Sequence, residues 1–363
     1  MPHHRWRVWL SLSLAACNSG CATIAYYSQA ITGHVRVMAA VEPISRVTAD
    51  PNTPAALRDR LTTIERVRRF ATEHLYLPDN GSYRSYANIG REFVVWNVFA
   101  APEFSLEPVK SCFPFAGCVN YRGYFNEGSA RALAERLRAQ GNDVYVGGVA
   151  AYSTLGWFDD PVLNTILRWN KLRLARLIFH ELAHQKLYIK HDSAFNEAFA
   201  TLVERVGAER WLRFEGDKRT QVAFEREQAR EAEFIAIALD TRAKLSSIYA
   251  SDLDVYGMRK AKSTAFDEMR EVYRRFRAGW SGYQGYDEWM AEDLNNAKFA
   301  SLVTYHEHAT AFETLFKEAG TNLPRFYEMA REVGQLKAQQ RLSCLQGLAR
   351  HGDRYLSDCL SGN

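Results

Sequence analysis

The sequence lacks a strong charge of either sign and has no long basic run. Its 363 residues carry 46 Lys and Arg against 42 Asp and Glu, a formal net charge of +4. Because no nucleic-acid motif accompanies this small excess, we expect no nucleic-acid partner. Repeats, low-complexity blocks and an obvious linker are also lacking, and 47% of the residues are hydrophobic. The chain can therefore form one large domain or two modest ones with a packed core.

Long apolar runs are scarce, and the one apolar stretch near the N-terminus is short. Residues 1–7 include Arg5 and Arg7 without an acid, and residues 8–16 are apolar or small. This order is typical of a secretory signal peptide and too short for a confident transmembrane span. Cys17 and Cys21 both follow small residues, and a cysteine in that place predicts a bacterial lipoprotein anchored by acyl chains. We expect a lipoprotein signal peptide over residues 1–20 and a lipid-anchored protein facing the periplasm or the exterior.

Cysteine is rare beyond this segment. In an oxidising compartment an even number of cysteines suggests disulfides. Local pairing, Cys112 with Cys118 and Cys344 with Cys359, is the favoured arrangement, although four cysteines allow three connectivities. A structural zinc site is the rival interpretation, but none of these pairs has the C-x-x-C spacing.

Hydrophobic periodicity predicts an α+β fold in which a small mixed sheet precedes a mainly helical region. A helix is expected from the Thr53-Pro54 start to about Leu77, with Thr53 as N-cap and Pro54 as the first helical residue. Strands are expected over residues 93–99, 104–109, 117–125 and 144–151, and a helix over 127–140. Residues 208–278 predict two long packed helices. We expect residues 21–363 to form one domain, in which 21–165 hold the helical start and the sheet and 166–363 are helical.

The stretch from Leu172 to Val206 carries the strongest chemical pattern, because His180-Glu181-Leu182-Ala183-His184 is an H-E-x-x-H motif. On a helix the two histidines lie at i and i+4 and project from one face. Two imidazoles and one carboxylate make an open catalytic zinc site, and Glu181 is placed to act as the base. Glu197, on a second helix that begins near Asp192-Ser193, is the expected third ligand. The reserves for this position are Glu204, Asp192 and His191.

Simpler interpretations exist for each part of this pattern. A helix can carry H-E-x-x-H by chance, and an acid such as Glu197 near a helix N-terminus is favoured by the helix dipole alone. The apolar lead-in Leu174 to Phe179 and the following Asn196-Glu197 favour the metal site.

Ahead of the motif, residues 147–154 are the candidate sheet edge on which a peptide substrate could lie as an added strand. An ordinary core strand is an equally good interpretation of that segment.

HELAHQ followed by NEAFA resembles the gluzincin aminopeptidases of the aminopeptidase N type. The wider pattern resembles more closely a bacterial family of predicted zinc aminopeptidases, many of them lipoproteins. The matching stretches are Gly20-Cys21-Ala22, Tyr26-Tyr27-Ser28-Gln29, CFPFAGCVNYRGYF from Cys112, AYSTLGWFDDP from Ala151, HELAHQKLY and FNEAFA.

The resemblance implies a zincin-like fold around the helix of the motif. It makes His180, His184 and Glu197 the ligands of a Zn²⁺ ion and Glu181 the general base. It also favours Cys21 as the lipidated residue, whereas the local lipobox favours Cys17. Two departures stand out. Twelve residues separate His184 from Glu197, against about eighteen in the aminopeptidase N type, and no G-x-M-E-N-like segment is present to hold a substrate's free amine.

The resemblance also implies a tyrosine that stabilises the tetrahedral oxyanion. A downstream Tyr is usual in gluzincins, which favours Tyr305. Tyr152 is a second candidate, with His306 and His308 as reserves, and Tyr121-Arg122 could line the cleft.

The expected function is therefore a membrane-anchored zinc metallopeptidase, an aminopeptidase by resemblance, that acts on peptides. One alternative is an envelope lipoprotein that binds peptide or protein without hydrolysis, although the intact Glu181 argues against it. The other alternative is a zinc amidohydrolase that acts on a non-peptide amide.

Overall fold

A computed structural model of the protein describes residues 24–113, 117–303, 308–352 and 359. The first helix, α1, covers residues 24–39. The other helices are α2 Ile44–Ala49, α3 Ala55–Leu75, α4 Glu127–Ala139, α5 Lys171–Lys186, α6 Ser193–Glu215, α7 Lys218–Tyr249, α8 Val255–Ala278, α9 Asp287–Ala291, α10 Asn296–Val303, α11 Ala309–Glu318, α12 Leu323–Gln335 and α13 Ala338–His351. The strands are β1 Val41–Pro43, β2 Ser85–Ala87, β3 Val95–Pro102, β4 Ser111–Phe113, β5 Gly117–Val119, β6 Arg122–Tyr124, β7 Asn142–Val149 and β8 Val162–Leu163.

Three small sheets lie ahead of the long helices. In the first, β2 pairs antiparallel with β1 and parallel with β8. In the second, β3 lies between β6 and β7, and both pairs are antiparallel. The third is the β4–β5 hairpin. A mixed sheet followed by helices confirms the predicted α+β class.

Two details of the predicted sheet are wrong. Residues 104–109 form turns and irregular chain instead of a strand. Pro102 precedes this segment and Pro108 lies within it, and both lack the amide hydrogen that a ladder needs. The carbonyls of Pro102 and Glu103 also accept hydrogen bonds from the Asn296 side chain. The expected strand over residues 117–125 is broken into β5 and β6 by a bend at Asn120 and Tyr121.

The start of α3 lies one residue later than predicted. Pro54 occupies the N-cap position and Ala55 begins the helix, without a side-chain capping bond. Thr53 instead donates its hydroxyl hydrogen to the carbonyl of Val47 at 2.7 Å. Thr53 therefore bonds to the short helix α2 and does not cap α3.

The main hydrophobic core surrounds the pair α5 and α6. The apolar face of α6 is buried, and its Phe195 and Phe199 pack near Phe312 and Phe326 of the C-terminal helices. Gly207 lets α6 approach α5 closely, because a Cβ at this position would lie 2.7 Å from the Phe179 ring. The motif helix is therefore held within the main hydrophobic core.

A second core lies between α7 and α8, the two long helices that the sequence predicts. Phe234, Phe266, Met269 and Tyr273 are buried in it. The apolar faces of both helices meet there, while Asp, Glu, Lys and Arg occupy the solvated faces. Among the helices in the described ranges, none is both long and apolar enough to cross a lipid bilayer.

Candidate metal centre

Helix α5 sets the two histidines of the motif one turn apart on the same face. Its N-cap is Asn170, whose side chain accepts a hydrogen bond from the Arg173 amide, and its buried side turns Ile178 and Leu182 into the core. The opposite face therefore carries His180 and His184, with their Nε2 atoms 3.2 Å apart. Both imidazoles converge on one point.

The connection from α5 to α6 brings Glu197 back to this point. The buried Asn196 side chain accepts a hydrogen bond from the Ile189 amide at 2.7 Å and donates one to the Ile189 carbonyl at 2.8 Å. His191 adopts a left-handed backbone with φ of 71°. Asp192 caps α6 and accepts a hydrogen bond from Arg341 of α13 at 2.6 Å. This clamped turn lets a separation of only twelve residues bring Glu197 close to both histidines.

The distances among the three donor groups fit a tetrahedral zinc ion. An Oε atom of Glu197 lies 3.2 Å from Nε2 of His180 and 3.6 Å from Nε2 of His184. Four ligands at about 2.0–2.1 Å from zinc are separated from one another by about 3.3 Å in tetrahedral geometry. His180, His184 and Glu197 could therefore hold one Zn²⁺ ion and leave its fourth position open.

Glu204 lies behind His180 and away from this cluster. Its carboxylate is 3.0 Å from Nδ1 of His180 and 2.6 Å from Nε of Arg176. A hydrogen bond from Nδ1 to a carboxylate leaves Nε2 of the imidazole available for a metal. Glu204, which the sequence offers only as a reserve ligand, is placed to orient a ligand. Nδ1 of His184 has no hydrogen-bond partner among the described residues.

Negative charge dominates the electrostatics of the cluster. Burial lowers the pKa of His180, but the Glu197 and Glu204 carboxylates outweigh it and raise that pKa well above the usual value. Burial raises the pKa of Glu197, but the nearby imidazoles outweigh it and hold that pKa far below its usual value. Two carboxylates around one imidazole favour a positive charge at this point, and a divalent cation would supply it.

Glu181 lies between two cavities that meet at the motif. Burial raises the pKa of its carboxyl above the usual value for glutamate. The sheet-side cavity, of about 330 Å³, lies against His180, His184 and Glu197. The α7-side cavity, of about 690 Å³, lies against His180 and Glu204. Glu181 lines both cavities, so it can reach a group bound in either.

The predicted substrate edge runs beside both cavities. Strand β7 is the last strand in the order β6-β3-β7, so one of its sides has no partner within this sheet. Val149 and Ala151 line both cavities, and Tyr152 and Ser153 continue along the sheet-side cavity. This edge therefore borders the same two cavities as Glu181.

Tyrosines line the sheet-side cavity. Tyr121, Tyr152 and Tyr188 all border it. The hydroxyl of Tyr152 lies 2.8 Å from Nδ1 of His34, and burial raises its pKa well above the usual value. Tyr305, the preferred oxyanion donor, and His306 lie outside the described residues, while His308 is buried at the N-cap position of α11.

Both expected cysteine pairs are joined as disulfides, Cys112 with Cys118 and Cys344 with Cys359. The first closes the β4–β5 hairpin, and the Cys118 amide donates a hydrogen bond to Nδ1 of His191 at 2.9 Å. The hairpin therefore supports the turn that positions Glu197. Cys17 and Cys21 lie outside the described residues.

Sequence reasoning missed the acids on α7. Glu227 and Glu231 face the α7-side cavity together with Arg176, which lies 3.4 Å and 3.8 Å from their carboxylates. No sequence signal separates them from the other acids of a highly charged helix. The sequence does point to Glu204, because it lies seven residues after Glu197 and so on the same helical face, but not to its contact with Nδ1 of His180.

Comparisons with known proteins identify one family. A family model described as "putative aminopeptidase" matches residues 25–345 of the chain. Neither the curated proteins nor the solved structures include a match.

Proposed function

The chain belongs to the putative aminopeptidase family, and from this premise we propose that it is a zinc-dependent aminopeptidase. The observation that carries the proposal is the convergence of His180, His184 and Glu197 at the spacing of a tetrahedral zinc site. The half-buried Glu181 beside them supplies the base that peptide hydrolysis needs. This assignment makes His180, His184 and Glu197 the zinc ligands.

The reaction follows from the groups around the cluster. A bound zinc ion would polarise the scissile carbonyl and lower the pKa of water. Glu181 takes a proton from the attacking water while the oxygen forms a bond to the carbonyl carbon. When the carbon–nitrogen bond breaks, Glu181 returns the proton to the leaving amine. Tyr152 lines the cavity where an oxyanion would form and can donate its hydroxyl hydrogen, and Tyr305 remains the candidate that the resemblance favours.

The α7-side cavity supports specificity for a free amino terminus. Four carboxylates and two guanidinium groups line it, from Glu181, Glu204, Glu227, Glu231, Arg173 and Arg176. This excess of negative charge suits the ammonium group of a substrate that lies along Val149–Ala151. In the absence of a G-x-M-E-N-like segment, we assign the role of amine recognition to Glu227 and Glu231.

The proposed location is the bacterial cell envelope, with acyl chains on Cys21. The apolar N-terminal stretch and the small residues before the cysteine support it. Metabolic labelling with a fatty acid should be lost in Cys21→Ser and retained in Cys17→Ser. The reverse pattern would move the anchor to Cys17, and no labelling of the unaltered chain would contradict an acyl anchor.

Metal analysis and a substrate panel test the enzymatic proposal. The purified protein should contain zinc and cleave peptides with a free amino terminus faster than N-blocked ones. Glu181→Gln should keep the zinc and lose about 10²–10⁴-fold in kcat. Glu209→Gln, on α6 and outside both cavities, is the matched control. Absence of zinc, or undiminished cleavage by Glu181→Gln, would contradict the proposal.

The remaining outcomes separate the alternatives. Zinc binding without hydrolysis of any substrate would favour a peptide-binding lipoprotein, and hydrolysis of non-peptide amides alone would favour an amidohydrolase. Cleavage of blocked peptides only would make the protein an endopeptidase. Glu231→Gln should raise KM for free-amine substrates and leave blocked ones unaffected, with the exposed Glu225→Gln on the same helix as control.

A further inference from the structure

Helix α1 exposes a row of large apolar side chains. Ile24, Tyr27, Ile31 and Val35 are 71%, 37%, 64% and 58% exposed. Their spacing of three, four and four residues places them within one narrow stripe of the helix. Arg36 is the only formally charged residue of α1 at neutral pH, and the helix has no acid. A solvated helix face would normally carry charges at these positions.

A neighbouring loop extends this apolar surface. Trp157 and Phe158 are 67% and 53% exposed. The ring of Phe158 lies 4.7 Å from the ring of His34, which directly precedes Val35 on α1. The stripe and the loop tip therefore form one exposed patch, which we call the apolar rim. Contiguous exposed apolar surface of this kind marks an interaction site.

The opposite face of α1 is part of the wall of the candidate active site. Tyr26 and Ala30 line the sheet-side cavity. The Gln29 side chain accepts a hydrogen bond from the Phe125 amide at 3.0 Å, and Gly33 lies directly against the Phe125 ring. The loop that carries Trp157 and Phe158 likewise contributes Tyr152 and Ser153 to that cavity. The apolar rim is thus the outer surface of the cleft wall.

We propose that the apolar rim lies in the interface of a lipid bilayer. The proposal rests on the acyl anchor at Cys21, which is three residues before Ile24. Three residues span at most about 11 Å, so an anchored chain begins α1 at the membrane surface. Tyr, Trp and Phe favour the interfacial region of a bilayer, and the rim supplies all three. Acyl chains and a buried apolar face then act as two membrane signals, which stable attachment requires.

Docking through the rim fixes the orientation of the cleft. Because α1 and the 150–158 loop separate the sheet-side cavity from the rim, the cleft lies immediately above the lipid headgroups. A peptide on the β7 edge would be processed close to the bilayer surface. Acyl chains alone would leave the protein free to tumble on a flexible tether.

Site-specific fluorescence quenching tests this contact in the full-length acylated protein. A single cysteine at Val35 or Trp157 is labelled with bimane, since the four cysteines of the described disulfides are not reactive. The protein is reconstituted into phosphatidylethanolamine–phosphatidylglycerol vesicles with or without nitroxide-labelled phospholipid. Emission at both sites should fall by about twofold or more when nitroxide is present. A label at Val222, an exposed apolar residue on α7, should not be quenched.

A charged variant shows whether the rim acts as a unit. Ile31→Glu combined with Val35→Glu should abolish quenching of the label at Trp157, because both carboxylates would have to leave water. Circular dichroism and the melting temperature should match those of the parent chain, since both side chains are exposed.

Quenching at 35 and 157 no greater than at Val222 would overturn the proposal. So would sedimentation of the purified protein as a dimer that the charged variant dissociates, which would assign the rim to a second copy. An N-terminus without acyl chains would remove the anchor and the proposal with it. None of these readouts depends on zinc or hydrolysis, so they leave the proposed activity untouched.

Discussion

At the scale of single residues, Glu204 decides which nitrogen of His180 faces the cluster. Its carboxylate accepts a hydrogen bond from Nδ1 of His180 and another from Arg176. A neutral histidine has only one further ring nitrogen, so this contact leaves Nε2 available to bind a metal ion. The pattern H-E-x-x-H does not contain this information, because the acid comes from another helix.

Replacement of Glu204 should weaken zinc binding without removing a ligand. Glu204→Gln keeps an oxygen acceptor near Nδ1 but removes the negative charge, and we expect zinc affinity to fall about 10–100-fold. Competition with a chromogenic chelator measures this change. Glu209→Gln on the same helix is the control, and equal affinities for the two variants would contradict the role of Glu204.

Asp160 gives a prediction for pH. The residue is 2% exposed, and burial raises the pKa of its carboxyl from 3.8 to about 6, although the Thr154 amide and the Ser153 hydroxyl donate hydrogen bonds to it. Because the folded pKa lies above the unfolded one, the stabilising contribution of Asp160 is complete below pH 4 and is lost as pH rises through 6.

Replacing Asp160 with asparagine should remove this pH dependence. The free energy of unfolding of Asp160→Asn, relative to the unaltered chain, should increase by about 2–3 kcal/mol between pH 4 and pH 7. Urea unfolding at several pH values measures the difference. If the two chains keep a constant offset over this range, the carboxyl does not have a raised pKa.

At the scale of elements, the α5–α6 connection explains how a short spacing still places Glu197 near the histidines. The left-handed His191, the Asp192 cap and the two hydrogen bonds of Asn196 turn the chain back within a few residues. Asn196 is therefore a positioning residue, and its neighbour Glu197 is a ligand in the proposed site.

Removal of the Asn196 side chain should affect both folding and metal binding. Asn196→Ala leaves the Ile189 amide without its partner and removes one of the two hydrogen bonds that the Ile189 carbonyl accepts, since the Asp192 amide also donates to that carbonyl. We therefore expect a loss of about 1–3 kcal/mol of stability. Zinc affinity should fall as well, because Glu197 loses its fixed position. Asn126→Ala removes the cap of α4, a side chain that lines neither cavity, and should cost about 1 kcal/mol with no change in zinc affinity. Unaltered zinc affinity in Asn196→Ala would show that the turn does not depend on this side chain.

Helices were easier to predict than strands. The helices α4, α7 and α8 follow from apolar spacing and charged faces, which are local properties of the sequence. The expected strand at 104–109 failed because its pairing depends on Pro102, Pro108 and the distant Asn296, which takes up two carbonyls. Strand pairing is decided by such remote contacts.

The residues of the candidate site also differ in whether the sequence could predict them. His180, Glu181 and His184 lie on one helix, so their convergence can be predicted from spacing alone. Glu231 could not be predicted, because its relevance depends on how α7 packs beside α5. Acids are common on any solvated helix, and only the tertiary structure shows which of them face a cavity.

At the scale of the whole molecule, the donor cluster joins α5 and α6 within the main core. A ligand that binds only the folded chain stabilises it by RT ln(1 + [L]/Kd), about 2.7 kcal/mol at one hundred times Kd. Zinc held between two core helices should therefore contribute to global stability as well as to catalysis.

Chelation should lower the melting temperature of the protein, and added zinc should restore it. The expected loss is about 3–4 kcal/mol for zinc in the range of 100–1,000 times Kd. Differential scanning calorimetry with and without chelator measures it. His184→Ala is the control, because a chain without one ligand should melt at the same temperature in both conditions. An equal response of the two chains would place the stabilising metal elsewhere.

The hydrogen bond from Cys118 to His191 links the active-site turn to thiol chemistry. The Cys112–Cys118 disulfide closes the hairpin that makes this contact. A disulfide persists only where thiols are oxidised. If the chain is exported as we propose, translocation comes first and the support of Glu197 is completed afterwards. The peptidase would then stay inactive in the cytoplasm during synthesis, because the disulfide forms only after export. This control would rest on the timing of oxidation and would not need a removable inhibitory segment.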